Sequence, residues 1–488
     1  MKIKYLCLLL SLFGFTHIIE AQYIPKVNTW YRDTSDHVRP WQSAATIIGT
    51  NLSVWSFDKY AVKADFAQIS RESIRENFRK GFVWDNDMFL TNLFMHPYHG
   101  NLYYNAARSN GLNYWQSMPF TLGGSLMWEM CMETEPPSIN DIFTTTFGGM
   151  ALGEINHRLS TAIVDESAHG WGRAGMEFAG FLLAPTAGIT RLINGSMFQH
   201  KPRGYRHNYP KLPLYIQAGV GSSFNAEELN LFKGIFSQTI DIQLQYNDPF
   251  DIEDCKPFDF FKLSTTLKLF SNQPKISKVN ASALLWGRNY TPFKNHKMLI
   301  GVFQNFDYFD SDTLFANSTH IPYKVSAAAS FGGGLLYAAK NENNTIDMNL
   351  GLHVNAILMG GSLTDYYRIL NRNYNLGSGL ASKAYSEIRF SKVGAFYLGV
   401  DIYHLFTWKG YEPGSIDPKT VTAHNFNAQG DKGFSNLIII NPRMEFYVSK
   451  QISVNTDIYA HLRNTHYTYY DDIRYNTFEV KTSIVYKY

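Results

Sequence analysis

Charge is what this sequence has least of for its length. Only 17% of its 488 residues are charged, against ~25% in an ordinary soluble protein. Much of its surface must therefore meet something other than water. The 44 Lys and Arg nearly balance the 41 Asp and Glu, for a net charge of +3. There is no basic stripe of the kind nucleic-acid binding requires, so nucleic acid is not an expected partner. Of 3 cysteines, Cys7 lies in an N-terminal apolar segment, which leaves Cys131 and Cys255. Two are too few for a disulfide scaffold; an oxidising compartment would permit a bridge, but two free thiols are the expected state. No Gly-rich phosphate loop and no paired-Cys metal motif is present, so no cofactor is expected. Beyond the first residues no apolar run approaches the ~18 residues of a spanning helix. A mean hydropathy of −0.22 agrees.

Aromatic residues are abundant at 15% (31 Tyr, 35 Phe, 9 Trp). Lys2 and Lys4, the apolar run Leu6 to Phe15 and the small-residue site at Ala21-Gln22 have the form of a cleaved export signal over residues 1–22. A membrane protein without spanning helices satisfies its backbone hydrogen bonds only as a closed barrel. Such strands alternate lipid-facing apolar and lumen-facing polar residues.

That alternation runs through the second half of the chain. Ile240, Ile242, Leu244 and Tyr246 oppose Thr239, Asp241, Gln243 and Gln245. Leu350, Leu352 and Val354 likewise oppose Asn349, His353 and Asn355. Twelve such segments are predicted, near 213–224, 235–247, 260–271, 276–290, 297–309, 323–339, 345–359, 379–391, 394–408, 437–450, 452–467 and 474–488. Residues 411–434 are expected to form a long outer loop. Phe478, Val480, Thr482, Ile484, Tyr486 and Tyr488 alternate up to an aromatic last residue. This resembles the terminal-strand signal read by the barrel-insertion machinery, an expected partner together with outer-membrane lipid.

The first half does not alternate. Helices are expected near 58–80, 87–110, 114–133, 139–162 and 172–194. Ser138, followed by Asp141, has the form of a helix cap. Gly149 and Gly153, four apart, would let another helix approach closely. The expected fold is mainly β: an antiparallel transmembrane barrel of about twelve strands (206–488) with an α-helical luminal or periplasmic domain (58–205), after an extension (23–57). Its expected place is the outer membrane of a Gram-negative cell.

From about 82 to 160 the chain carries His96-Pro97-Tyr98-His99-Gly100, Tyr103, Ala107-Arg108-Ser109-Asn110-Gly111, Trp128-Glu129, Glu133, Pro137-Ser138-Ile139-Asn140-Asp141, Gly148-Gly149, Gly153-Glu154 and Arg158. These spaced positions resemble an uncharacterised outer-membrane family, domain-of-unknown-function family 3943. The sequence departs from the expected pattern at His99, where Gln was anticipated. The resemblance implies an envelope barrel and supplies no activity.

The residues themselves offer chemistry. Glu129 and Glu133 share a helix face. His96 is a candidate general base, with Glu129, Glu133 or Asp141 orienting it or polarising a water. Glu154 and His157 have the Glu-x-x-His spacing of dimetal bundles, but it occurs once where such bundles need it twice. Glu154 and Arg158 at i,i+4 form an ordinary helix ion pair, and no metal is assigned. Arg108, Ser138, Gly149, Gly153, Glu154 and Arg158 are candidate binding or structural positions. The expected function is passage or envelope maintenance, with the helices plugging or lining the lumen. The alternative is a membrane-embedded hydrolase of an envelope lipid or small molecule, using His96 and the Glu129/Glu133 carboxylates.

Overall fold

The computed structural model describes residues 38–200, 214–252, 255–315, 318, 320–368, 372–415 and 427–488. The expected export signal lies outside the described residues. Twelve strands close an antiparallel barrel in which each pairs with its neighbours in sequence, and β1 (Leu214–Glu227) pairs with β12 (Ile473–Lys487). Between them run β2 (Gly234–Tyr246), β3 (Phe261–Leu269), β4 (Ile276–Tyr290), β5 (His296–Asp310), β6 (Lys324–Lys340), β7 (Ile346–Leu363), β8 (Tyr374–Phe390), β9 (Gly394–Phe406), β10 (Gly433–Tyr447) and β11 (Ile452–Tyr467). Closure leaves no strand edge unpaired, the condition for a sheet in lipid. The expected long loop starts and ends in a two-residue ladder, Gly410–Tyr411 with Gly430–Asp431.

Ion pairs between strands that are not neighbours identify the luminal face. Lys383 on β8 contacts Asp307 on β5 at 2.5 Å, Lys481 on β12 contacts Asp241 on β2 at 2.7 Å, and Lys268 on β3 contacts Glu479 on β12 at 2.8 Å. Odd-numbered residues of β5 near Asp307 therefore face the lumen and even-numbered ones face outward. Toward one end Phe309, Ile357, Tyr403, Leu405, Leu437 and Ile439 fill the interior. Outward, Val220, Leu352, Val354, Leu380, Ile458 and Ile484 stand exposed, as a lipid-facing band requires.

The N-terminal half is helical: α1 (Pro40–Phe57), α2 (Arg71–Lys80), α3 (His96–Arg108), α4 (Tyr114–Cys131), α5 (Ile139–Phe143), α6 (Gly149–Ile163), α7 (Gly170–Leu183) and α8 (Pro185–Ile193). Three details differ from expectation. The extension at 23–57 contains α1, whose Ile47 and Asn51 pack on α3; its many β-branched and hydroxyl residues hid it. The expected helix at 58–80 is broken, and α2 restarts at the reciprocal cap of Ser70 and Ser73. The helix expected at 172–194 divides at Ala184-Pro185, because the residue before proline avoids helical geometry.

The helical unit is also not where it was expected. Outward-facing Gln304, Phe306 and Tyr308 of β5 are buried, and they are covered by helical-unit residues. Phe89 stacks 5.1 Å from Tyr308, Phe94 lies 6.4 Å from Phe306, and Phe147 lies 5.5 Å from outward-facing Phe331 of β6. The Tyr114 hydroxyl donates to Gln304 Oε1, and Gln304 Nε2 donates to the Phe147 backbone carbonyl at 2.8 Å. Val279, Ala281 and Ala283 of β4, also outward, join the same core. The helices thus lie along the outer wall, and the luminal or periplasmic-mouth placement is corrected. The physical reason is local: this stretch of wall is built from small and aromatic side chains that a protein surface can pack against.

Candidate functional site

The centre of the helical unit is α3. Its N-terminus follows from His96-Pro97, since proline fits the first turn, where its missing N–H costs nothing. Gly100 crosses the segment leading into α6 so closely that a Cβ there would stand 1.8 Å from the Thr145 carbonyl. Gly149 faces the Gly100 backbone, and Gly153 faces the Tyr104 ring. The two glycines singled out in the sequence therefore line one helix crossing.

This crossing, with the 132–138 turn, gathers one set of ionisable groups. His96 at the start of α3, Glu129 in the last turn of α4 and Asp141 in the first turn of α5 each present a ligand-type atom within 4.8 Å of the others. His96 Nε2 is 3.6 Å from Asp141 Oδ1. Ser138 organises the acids. Its hydroxyl donates to Asp141 Oδ2, its backbone N–H donates to Glu129 Oε2 at 2.8 Å, and its Oγ caps α5 by accepting from the Asp141 N–H. Asn140 Nδ2 donates to Asp141 Oδ1 at 2.8 Å. Backbone bonds from Val83 to Pro137 and from Ile139 to Val83 bring the 83–87 segment alongside. Asp85 then donates its N–H to Asn140 Oδ1 at 2.9 Å.

Electrostatics make this an unusual site. Burial, reinforced by Asp141, pushes Glu129 up to about 8. Burial, with Glu129 beside it, holds Glu133 well above the usual carboxylate range. Burial and Asp85 do the same to Asp141. A carboxyl displaced to about 8, as at Glu129, exchanges its proton near neutral pH. His99 behaves differently: burial and the nearby His96 lower it to about 3, and it packs against Trp128 and bonds the Tyr103 hydroxyl at 2.9 Å.

A second polar group is fully engaged. Glu154 accepts from Arg108 Nε at 2.6 Å, from Arg158 Nε at 3.0 Å and from the Tyr104 hydroxyl at 2.8 Å. Arg158 continues to Asp259 at 3.0 Å and to the Pro257 carbonyl at 2.7 Å, tying α6 to the β2–β3 loop. Glu154 and His157 therefore do not present an open ligand pair; the expected Glu154–Arg158 contact exists, and Arg108 joins it. Cys131 and Cys255 are both free thiols.

Sequence reading missed Asp85 and Asn140 as members of the acid cluster. The trace of Asp85 was present in the Asp85-Asn86-Asp87 run, whose first carboxylate caps the two following N–H groups. The pairing of that run with Pro137-Ser138 is a tertiary contact without a local signal.

The segment that holds this cluster also carries the relationship to known proteins. Residues 81–186 match the domain of unknown function DUF3943. The DUF3943 segment spans His96, Glu129 and Asp141 and also the crossing glycines. No curated protein matches the chain. Among solved structures, the NanC porin is similar at 7% identity and a TM-score of 0.24, covering 55% of this chain and 98% of that one. An outer-membrane channel from Pseudomonas putida F1 is similar at 6% identity and a TM-score of 0.27, covering 59% and 100%. The transport unit of an autotransporter from Escherichia coli is similar at 12% identity and a TM-score of 0.20, covering 61% and 96%. The twelve-stranded architecture itself stands on the strand ladder.

Proposed function

We propose that this protein resides in the outer membrane and serves envelope maintenance from the lipid side of its barrel. The DUF3943 helices are the working part, and an envelope lipid is the class of molecule they receive. The observation that carries this reading is the position of the His96 cluster, in a unit packed on the outward wall. The surface around that unit supports it: Met88, Met95 and Phe143, close in sequence to His96 and Asp141, are exposed, as are Trp115 at the far end of α4 and Trp171 on α7, the latter 93% exposed. Apolar residues at this density rim a site for an apolar ligand. In a hydrolytic version of this role, the His96 cluster activates the attacking water.

Passage through the lumen is the second reading, favoured by the charged pairs that cross it, such as Lys383–Asp307. One pair of measurements on the full chain separates the two. Radiolabelled envelope lipids are incubated with the protein in detergent micelles, and the same preparation is reconstituted into planar bilayers. Lipid turnover that disappears in folded His96→Ala and Glu129→Gln, without steady conductance, supports the lipid-side role. Steady conductance without lipid binding or turnover overturns it in favour of passage.

A further inference from the structure

The geometry points to a divalent transition-metal site formed by His96, Glu129 and Asp141 in the DUF3943 segment. The three residues come from three separate elements and converge with their ligand-type atoms within 4.8 Å of one another. Around an ion with bonds of ~2.1 Å, tetrahedral ligand atoms stand ~3.4 Å apart. His96 Nε2 and Asp141 Oδ1, at 3.6 Å, are already at nearly that spacing. Small side-chain rotations close the remainder.

Two further observations point the same way. The ligand carboxylates are held from behind, Asp141 by the Ser138 hydroxyl and Asn140 Nδ2, and Glu129 by the Ser138 N–H. Outer partners of this kind orient metal ligands. The charge is also unbalanced. Glu129 and Asp141 are 1% and 3% exposed. Among the described residues no lysine or arginine forms an ion pair with Glu129, Glu133 or Asp141, and the imidazole of His96 is what stands against Asp141. Buried acids without a counter-ion either keep protons or take up a cation.

One imidazole and two carboxylates suit zinc or manganese better than an all-oxygen calcium site. Three protein ligands leave at least one position open, as in metal sites that activate water. The binding itself does not depend on the lipid-side role.

The test uses the full chain in detergent micelles after chelator treatment. Zn2+ and Mn2+ are titrated by calorimetry, with Ca2+ and Mg2+ as comparators, and bound metal is counted by elemental mass spectrometry. One Zn2+ or Mn2+ per chain is expected, with binding abolished in Glu129→Gln and Asp141→Asn. Ser138→Ala, which keeps all three ligands but removes the hydroxyl that bonds Asp141 and caps α5, is expected to weaken binding by about 10-fold. Should the ligand variants fail to fold, Co2+ added to the wild type still decides, because its visible absorption reports nitrogen and oxygen ligation. Absence of stoichiometric binding in the wild type overturns the proposal. So does equal binding in the folded variants, or tighter binding of Ca2+ or Mg2+.

Discussion

At the residue scale, Glu154 shows how much one side chain holds in the helical unit. It is buried, and burial alone would raise its pKa; Arg108 and Arg158 outweigh that and bring it down to about 2. Breaking such a buried network leaves two guanidinium groups short of a partner, at a cost of about 3–5 kcal/mol. Glu154→Gln is expected to lower the urea midpoint of the helical unit accordingly. The pH dependence has a definite sign. A folded-state pKa depressed below the ordinary value of 4.5 means that the stabilisation is complete above that value and is lost as pH falls toward about 2. Unfolding midpoints of the wild type and of Glu154→Gln should therefore differ most at neutral pH and converge in acid. A difference that is constant from neutral pH down to pH 2 would contradict this account.

At the scale of elements, the crossing of α3 with α6 rests on absent side chains. A Cβ on Gly100 meets a carbonyl oxygen that belongs to backbone and cannot swing aside, whereas a Cβ on Gly123 of α4 meets nothing within 4 Å. Gly100→Ala is expected to destabilise by at least about 1–3 kcal/mol through overpacking. Gly123→Ala, with no steric conflict in a helix interior, is expected to be neutral or to stabilise by about 0.4–1 kcal/mol. Thermal unfolding in detergent followed by circular dichroism compares the two. The glycine spacing at 149 and 153 was legible in the sequence because four residues return to the same helix face. The partner surface was not, since nothing local says which helix will arrive there.

For the whole molecule, the decisive feature is the side of the wall on which the helices lie. The Phe147–Phe331 contact joins the helical unit to an outward position of β6, with ring centroids 5.5 Å apart. In a Phe147→Cys/Phe331→Cys variant, mild oxidation is expected to form a cross-link between the helical unit and the barrel, visible after cleavage between them. The control moves the second cysteine to lumen-facing Ser330, and it is expected not to cross-link. The reverse pattern would return the helices to the lumen.

The sequence by itself determined the barrel, its twelve strands and the helical character of the first half. These follow from periodicity: a strand wetted on one face and apolar on the other must alternate, and a helix packed on one side must repeat every three to four residues. It also marked His96, Glu129, Glu133 and Asp141 as chemistry-bearing, because buried polar types in an apolar setting stand out in any linear reading. Only the tertiary structure decided that three of them meet, that Asp85 joins them, and that Glu154 is committed to two arginines. It alone decided, too, which face of the barrel the helices cover. Outward positions such as Ala281, Ala283 and Gln304 depart from the lipid-facing pattern, but the departure has meaning only once the luminal ion pairs define inside and outside. Alternation tells two faces apart; naming them requires the contacts that cross the lumen.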